Sequence, residues 1–349
     1  MNTKNGHGAS SSSDEDELEL APSNHNNTKH KADIKHASHH AKYQQIPSSQ
    51  SNPIAPFDSV DPLNIVKTAI KIGYKKAQST SLSSFGGGRI IMKAMMSGAY
   101  LGFTITLSLY ARSLGWDAVA AGLLFPMGFV MLILMGNDLA TGNFALLPMA
   151  YLDGLRKDKG RGKGNKQSTN EYRVSIMDIL VNWFVVYIGN FLGALLFLFL
   201  VWGGMTHFGG RDESKYSDYK DVLCLVTESK TLGYKSTGGA QGWFAALFNG
   251  ILCNWMVTMG VLLAFSSKST IGRIFAMYIP ITIFITLGFE HSIVNLYLLP
   301  AGLSYECDTY NTGEWWIWNQ IPVTLGNIIG GICLTGLWYY FIWSPKLSL

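Results

Sequence analysis

Runs of about 17–25 residues with almost no charge recur between residue 91 and residue 343, the length of helix that crosses a hydrocarbon core roughly 30 Å thick. Backbone amides cannot be left unpaired in lipid, so runs of this kind must be helical. Most of the charge sits in three blocks: the first 93 residues, 152–173 and 211–235. Only 14% of the 349 residues are charged, against the roughly 25% usual in soluble domains. The pattern is that of a polytopic all-α membrane protein. A net charge of +4 therefore serves to orient the chain and gives no reason to expect nucleic acid as a partner.

Three regions are expected. Residues 1–58 form a disordered cytoplasmic tail, rich in Ser, His, Asn and Lys, with the acidic run Asp14-Glu15-Asp16-Glu17. The tail has no apolar h-region, so no signal peptide is expected, and its acidic run argues against a transit peptide. Six of the eight histidines lie there (His7, His25, His30, His36, His39 and His40). Their irregular spacing fits solvated side chains better than a metal site, and no metal or other cofactor is expected. Ser10 to Ser13 offer a weak phosphorylation signal. Residues 59–86 hold an amphipathic helix capped by Asp61 and opened by Pro62. Leu63, Val66, Ile70 and Tyr74 oppose Lys67, Lys71, Lys75 and Lys76 on it. Such a helix either lies on an anionic membrane surface or packs on the protein's own cytoplasmic face. Residues 87–349 form the transmembrane domain.

Six spans are expected in that domain, at about 91–111, 118–151, 177–202, 242–265, 274–303 and 319–343. Ser97-Gly98-Ala99 in the first permits close helix packing, and tryptophans at 315, 316, 318, 338 and 343 suit interfacial belts. Lys and Arg crowd the segment before the first span, loop 152–173 and loop 266–273, whereas loop 304–318 has none and loop 203–240 balances five cations against five acids. Both termini are accordingly expected in the cytoplasm, with the plasma membrane as the host. On this topology Cys224 and Cys307 both fall on the oxidising side, where a disulfide is possible, while Cys253 and Cys333 lie within spans.

The second and fifth spans are interrupted in the same way. Gly136-Asn137-Asp138-Leu139-Ala140-Thr141-Gly142-Asn143 and Gly288-Phe289-Glu290-His291-Ser292-Ile293-Val294-Asn295 share Gly at the first place, an acid at the third and Asn at the eighth. Downstream of each comes a second match, Gly189-Asn190-Phe191-Leu192-Gly193 and Gly326-Asn327-Ile328-Ile329-Gly330. Two paired matches in the same order indicate an internal repeat of three spans. An odd number inserts the second unit upside down, giving an inverted 3+3 arrangement with helices two and five broken. Half-helix N-termini then point partial positive charge at the breaks, which favours an anion.

His291 is the one histidine within a span, and it stands beside a buried acid at a glycine-marked break. That placement assigns it to a pathway rather than to packing. Asp138 and Glu290 are read as braces that accept hydrogen bonds from loosened backbone N–H groups at their own breaks, in preference to proton carriers. Asn254 and Asn327 either hydrogen-bond a substrate or tie helices together.

These motifs resemble the formate/nitrite transporter family over about residues 60–345. The residues that carry the likeness are the two break octapeptides, Asn254 and Gly326-Asn327-Ile328-Ile329-Gly330-Gly331. The resemblance implies an aquaporin-like fold and a homopentamer with one pore per protomer that carries small monocarboxylates, nitrite or hydrosulfide, often with protons. It places His291 at the centre of the pore facing Thr141, Phe125 and Phe284 at an outer constriction, and Leu139 and Val257 at an inner one. Lys235 takes the place of a vestibule lysine. Two departures are visible: Ala140 stands where the family usually has Phe, and Phe129 where it often has Leu.

The expected function is transport of small monovalent anions such as formate, lactate, acetate or nitrite, with the bilayer, protons and its own copies as partners. A neutral-solute channel is disfavoured because neither break carries Asn-Pro-Ala. An acid–base enzyme built on Glu290 and His291 lacks any accompanying nucleophile, metal cluster or phosphate loop. A receptor or scaffold is suggested only by the long tail.

Overall fold

The computed structural model describes residues 58–80, 87–160, 173–307 and 310–344, so the disorder expected of residues 1–58 and the tail histidines fall outside it, save for Asp58. Ala55–Leu349 forms one compact unit. Among the described residues the chain is helical, with a single isolated bridge between Ser59 and Ser267.

The first helix, α1 (Pro62–Ser79), begins where its cap requires, with Asp61 accepting from the Leu63 amide at 2.8 Å. It buries Val66, Ala69, Ile70, Gly73 and Ala77, and Gly73 sits directly against Leu146 and Ala150. The apolar face of α1 therefore packs on the protein itself, the second of the two arrangements its amphipathicity allows.

The long helices follow. Four continuous stretches are long and apolar enough to cross a membrane: Gly88–Ser113 (within α2, Gly87–Ser113), Ile176–Thr206 (α6), Gly239–Leu263 (α8) and Thr312–Trp343 (α11). Turns of π-helix at Trp316–Gln320 and Gly330–Leu337 widen α11. The second expected span is divided among α3 (Ala118–Gly122), α4 (Pro126–Leu134) and α5 (Ala140–Gly160). The fifth is divided between α9 (Thr270–Thr286) and α10 (Ser292–Ser304). In the second span the helix resumes at Ala140 rather than at Phe144, because Asn190 supplies a cap for the Ala140 amide.

Small residues set the tightest crossings. Gly193 of α6 lies against the Met95 backbone of α2, and Gly330 of α11 against the Ile251 backbone of α8. A β-carbon at either place would collide with main chain.

Loop 203–240 is not a loop throughout. Ser217–Ser236 forms a helix, α7, that buries Tyr219, Leu223, Thr227 and Thr231 at four-residue spacing. Most charges of α7 belong to its exposed side, but Lys230 does not: its side chain is 15% exposed. Cys224 of α7 is disulfide-bonded to Cys307, just beyond α10, with Cα atoms 5.2 Å apart.

Candidate functional site

Each break is built by the same local rule. The chain leaves α4 through Gly136 at φ 65° and leaves α9 through Gly288 at φ 72°, a conformation costly for any residue with a side chain. Asn137 N–H returns to the Leu132 carbonyl at 2.9 Å and Gly136 N–H to Ile133 at 3.1 Å. Phe289 returns to Phe284 at 3.0 Å and Gly288 to Ile285 at 3.1 Å. Both are Schellman closures, which satisfy carbonyls at a helix end.

One asparagine then spans each gap. The Asn190 side chain accepts from Ala140 N–H at 3.0 Å and donates to the carbonyls of Ala94 (2.8 Å) and Asp138 (2.9 Å). The Asn327 side chain accepts from Ser292 N–H at 2.9 Å and donates to Gly250 (2.8 Å) and Glu290 (2.9 Å). Each amide uses both of its hydrogens and its oxygen, so main chain that a broken helix would leave unpaired is paired at membrane depth.

The acids at the breaks are also held alike, but not by backbone amides. Asp138 is ion-paired to Lys76 of α1. Glu290, 2% exposed, meets Lys230 of α7 at 2.9 Å and accepts from Tyr234 at 2.9 Å, Asn295 at 2.8 Å and Asn319 at 3.2 Å. A buried carboxylate needs an opposite charge and hydrogen bonds; Lys76 supplies the charge to Asp138, and Lys230, Tyr234, Asn295 and Asn319 supply both to Glu290. Asn143 donates to Asn182, which donates to the Lys76 carbonyl at 3.1 Å. In the other half Asn295 donates to Asn319, which donates to the Lys230 carbonyl at 2.9 Å.

Between these two clusters lies His291, 3% exposed. Its Nδ1 accepts from Val294 N–H at 3.2 Å, capping α10, and its Nε2 lies 3.0 Å from Thr141 Oγ1 in the first turn of α5. Because Nδ1 is an acceptor, a neutral ring carries its proton on Nε2 and donates it to Thr141. That bond brings the N-termini of α5 and α10 together, and with them partial positive charge from two helices. Phe284 stacks on the imidazole with ring centres 5.8 Å apart, and Phe125 meets Phe284 edge-on at 5.6 Å. Leu139 and Val257 are buried, as is Phe129, whose ring lies against Gly260. Asn254 ties structure together: its amide donates to the Thr141 carbonyl at 3.1 Å and the Asn327 carbonyl at 2.6 Å, leaving its oxygen unpartnered.

A cavity of about 140 Å³ opens on this group, lined by Phe284, Gly288, His291, Asn295 and two cations, Lys230 and Arg112. Lys235 does not line it. That lysine is half-exposed and paired with Glu314 at 2.6 Å; the lysine that lines the cavity is Lys230, five residues earlier. Sequence reasoning also missed Lys76, Asn182, Asn319 and Tyr234. A signal existed: Asn182 precedes Asn190 by the interval at which Asn319 precedes Asn327.

The formate/nitrite transporter family profile matches residues 63–159 and 168–341. A probable formate transporter of Methanothermobacter thermautotrophicus is 28% identical over 74% of the chain and 90% of its own length. The formate channel FocA of Haemophilus influenzae is 27% identical over 76% of the chain and 89% of its own. A solved pentameric formate channel with formate bound superposes with a TM-score of 0.56 at 22% identity, covering 74% of this chain and 98% of that one.

Proposed function

The chain belongs to the formate/nitrite transporter family, and on that premise we propose that it carries small monovalent anions across a membrane through one pore in each protomer of a homopentamer. It is a transport protein and not an enzyme. The substrates proposed are formate first, then lactate, acetate and nitrite, taken up with protons. The relatives named as formate transporter and formate channel support formate, and the pentameric relative supports the assembly. The matched bonds at Gly136 and Gly288 support two inverted units of three spans, and the loop charges support cytoplasmic termini at the plasma membrane.

The reading rests above all on the His291–Thr141 bond: two helix N-termini meet there beside a cavity that holds Lys230 and Arg112. The two cations gather an anion at the mouth. Its passage between Phe125 and Phe284 as a bare charge would cost many kcal/mol. As water thins out, the substrate's own acidity falls until it takes a proton from solvent, and it crosses as the neutral acid. His291 then offers a polar step through Nε2–H and Thr141. The capping bond at Nδ1 supports this order, since a second ring proton would set two donors, Nδ1–H and Val294 N–H, face to face.

Proteoliposomes holding a pH-sensitive dye test the reading. Formate, lactate, acetate or nitrite outside should each acidify the lumen, and glycerol should not swell the vesicles. His291→Asn, which keeps the cap and a polar group but does not titrate, should still acidify, while His291→Phe should not. Glycerol passage at the rate of formate would make the protein a neutral-solute channel. Anion entry without acidification in His291→Asn would make the histidine the proton carrier.

A further inference from the structure

Away from the pore, α1 and the C-terminal end of α5 enclose a groove of about 400 Å³, within the roughly 300–1,000 Å³ typical of small-ligand pockets. One wall is the exposed stripe Lys67, Lys71 and Lys75, spaced a helical turn apart. None of the three has an ion-pair partner among the described residues. The other wall carries Arg156 and Lys157. The groove's single acid, Asp153, is already engaged by both, at 2.9 Å and 3.1 Å, so it aims these cations rather than cancelling the stripe. Lys157 also stands 5.3 Å above the Tyr74 ring, and Arg156 Nε is buried without a partner.

Depth identifies what such a groove meets. Asp153 to Lys157 lie 13–17 residues beyond Ala140 on α5, about 20–26 Å along the helix at its rise per residue. A bilayer with its headgroups reaches about 20–22 Å from its centre. With Ala140 at mid-bilayer, as the proposed function has it, the groove stands at the level of lipid phosphates. A lipid bearing one net charge leaves most of its cations unanswered.

We propose that the groove between α1 and the end of α5 binds the multiply phosphorylated headgroup of an inositol lipid in the cytoplasmic leaflet. The apolar face of α1 is spent on α5, so the helix is held rigidly and presents its lysines as a prepared site.

Fluorescence polarisation with a labelled dioctanoyl phosphatidylinositol bisphosphate, added to full-length protein in detergent micelles at physiological salt, tests this. The assay involves no transport, so its failure and the failure of the transport reading are separate results. Binding should saturate, and Lys67→Ala/Lys71→Ala/Lys75→Ala should weaken it at least about ten-fold. Lys71→Glu, a single change at an exposed site, should act in the same direction should the triple variant prove unstable. Lys268→Ala, an exposed lysine elsewhere, should leave it unchanged. Dioctanoyl phosphatidylserine should compete poorly, and the soluble inositol trisphosphate headgroup more weakly than the lipid. Equal binding by the triple variant and wild type would overturn the site. Phosphatidylserine competing as well as the bisphosphate would reduce it to a general anionic attraction and overturn its specificity. A free headgroup binding as tightly as the lipid would assign the groove to a soluble polyphosphate and overturn the lipid.

Discussion

Lys230→Met should destabilise the protein more when Glu290 is present than when it has become glutamine. The Glu290 carboxylate is 2% exposed and has four partners, of which only Lys230 brings charge. Without that charge, three neutral donors face an uncompensated anion in a low-dielectric interior, a loss of about 3–5 kcal/mol. Glu290→Gln alone should cost less, because the Lys230 side chain is 15% exposed and borders the cavity, where water can solvate it. The double variant removes both charges and keeps an amide for Tyr234, Asn295 and Asn319, so it should recover about 2–3 kcal/mol over the sum of the single changes, within the range of measured couplings for residues in contact. Thermal unfolding of the four proteins in detergent micelles gives the cycle, and formate flux in vesicles supplies the second readout. Additive melting shifts would mean that Lys230 does not hold Glu290. A stable Glu290→Gln without flux would mean that the carboxylate carries protons and is no brace.

Two further outcomes follow from the same geometry. Asn190→Leu and Asn327→Leu each remove three buried hydrogen bonds of 2.8–3.0 Å; at roughly 0.6 kcal/mol per intramembrane bond each should lose about 2 kcal/mol, and more if the freed backbone stays unpaired. A large loss from one and none from the other, in the same unfolding assay, would refute their equivalence. The Cys224–Cys307 bond closes 83 residues, so Cys224→Ser/Cys307→Ser should lower stability by up to about 4–5 kcal/mol on a chain-entropy argument. Reductant should then lower the melting temperature of wild type but not of the variant, and recovery of both thiols free by non-reducing peptide mapping would refute the bond.

Much of the arrangement was legible because membrane depth leaves few choices. A glycine followed by an acid inside an apolar run can only be a helix end, and both breaks lie within a few residues of where Gly136 and Gly288 put them. The capped start of α1 at Asp61-Pro62 was readable for a similar reason: it depends on adjacent residues. What could not be read were partnerships over distance. Lys76 precedes Asp138 by 62 residues and Lys230 precedes Glu290 by 60, and nothing local ties either pair together. Hence the sequence points to nearby backbone amides as the braces, whereas Lys76 and Lys230 supply the charge. Helix α7 was hidden because charged and hydroxyl residues outnumber its apolar ones, while burial follows a stripe of one residue in four.

The comparison of the two halves also separates scaffold from pathway. The brace positions correspond in kind: Lys76 with Lys230, Asp138 with Glu290, Asn143 with Asn295, Asn182 with Asn319, and Asn190 with Asn327. The proposed pathway residues fall where the correspondence fails. In the register of the breaks, His291 stands opposite Leu139, Thr141 opposite Ile293, Phe284 opposite Leu132, and Phe125 opposite Met277. Asn254, counted from the matched carbonyls of Ala94 and Gly250, stands opposite Gly98. A broken helix has the same unpaired backbone whichever way it enters the membrane, so the groups that repair it must recur in both halves. The single binding centre proposed between the halves has no such need, since one histidine and one threonine complete it. The polar clusters at the breaks are thus the cost of opening helices inside lipid, and the proposed transport chemistry falls to the few positions where one half differs from the other.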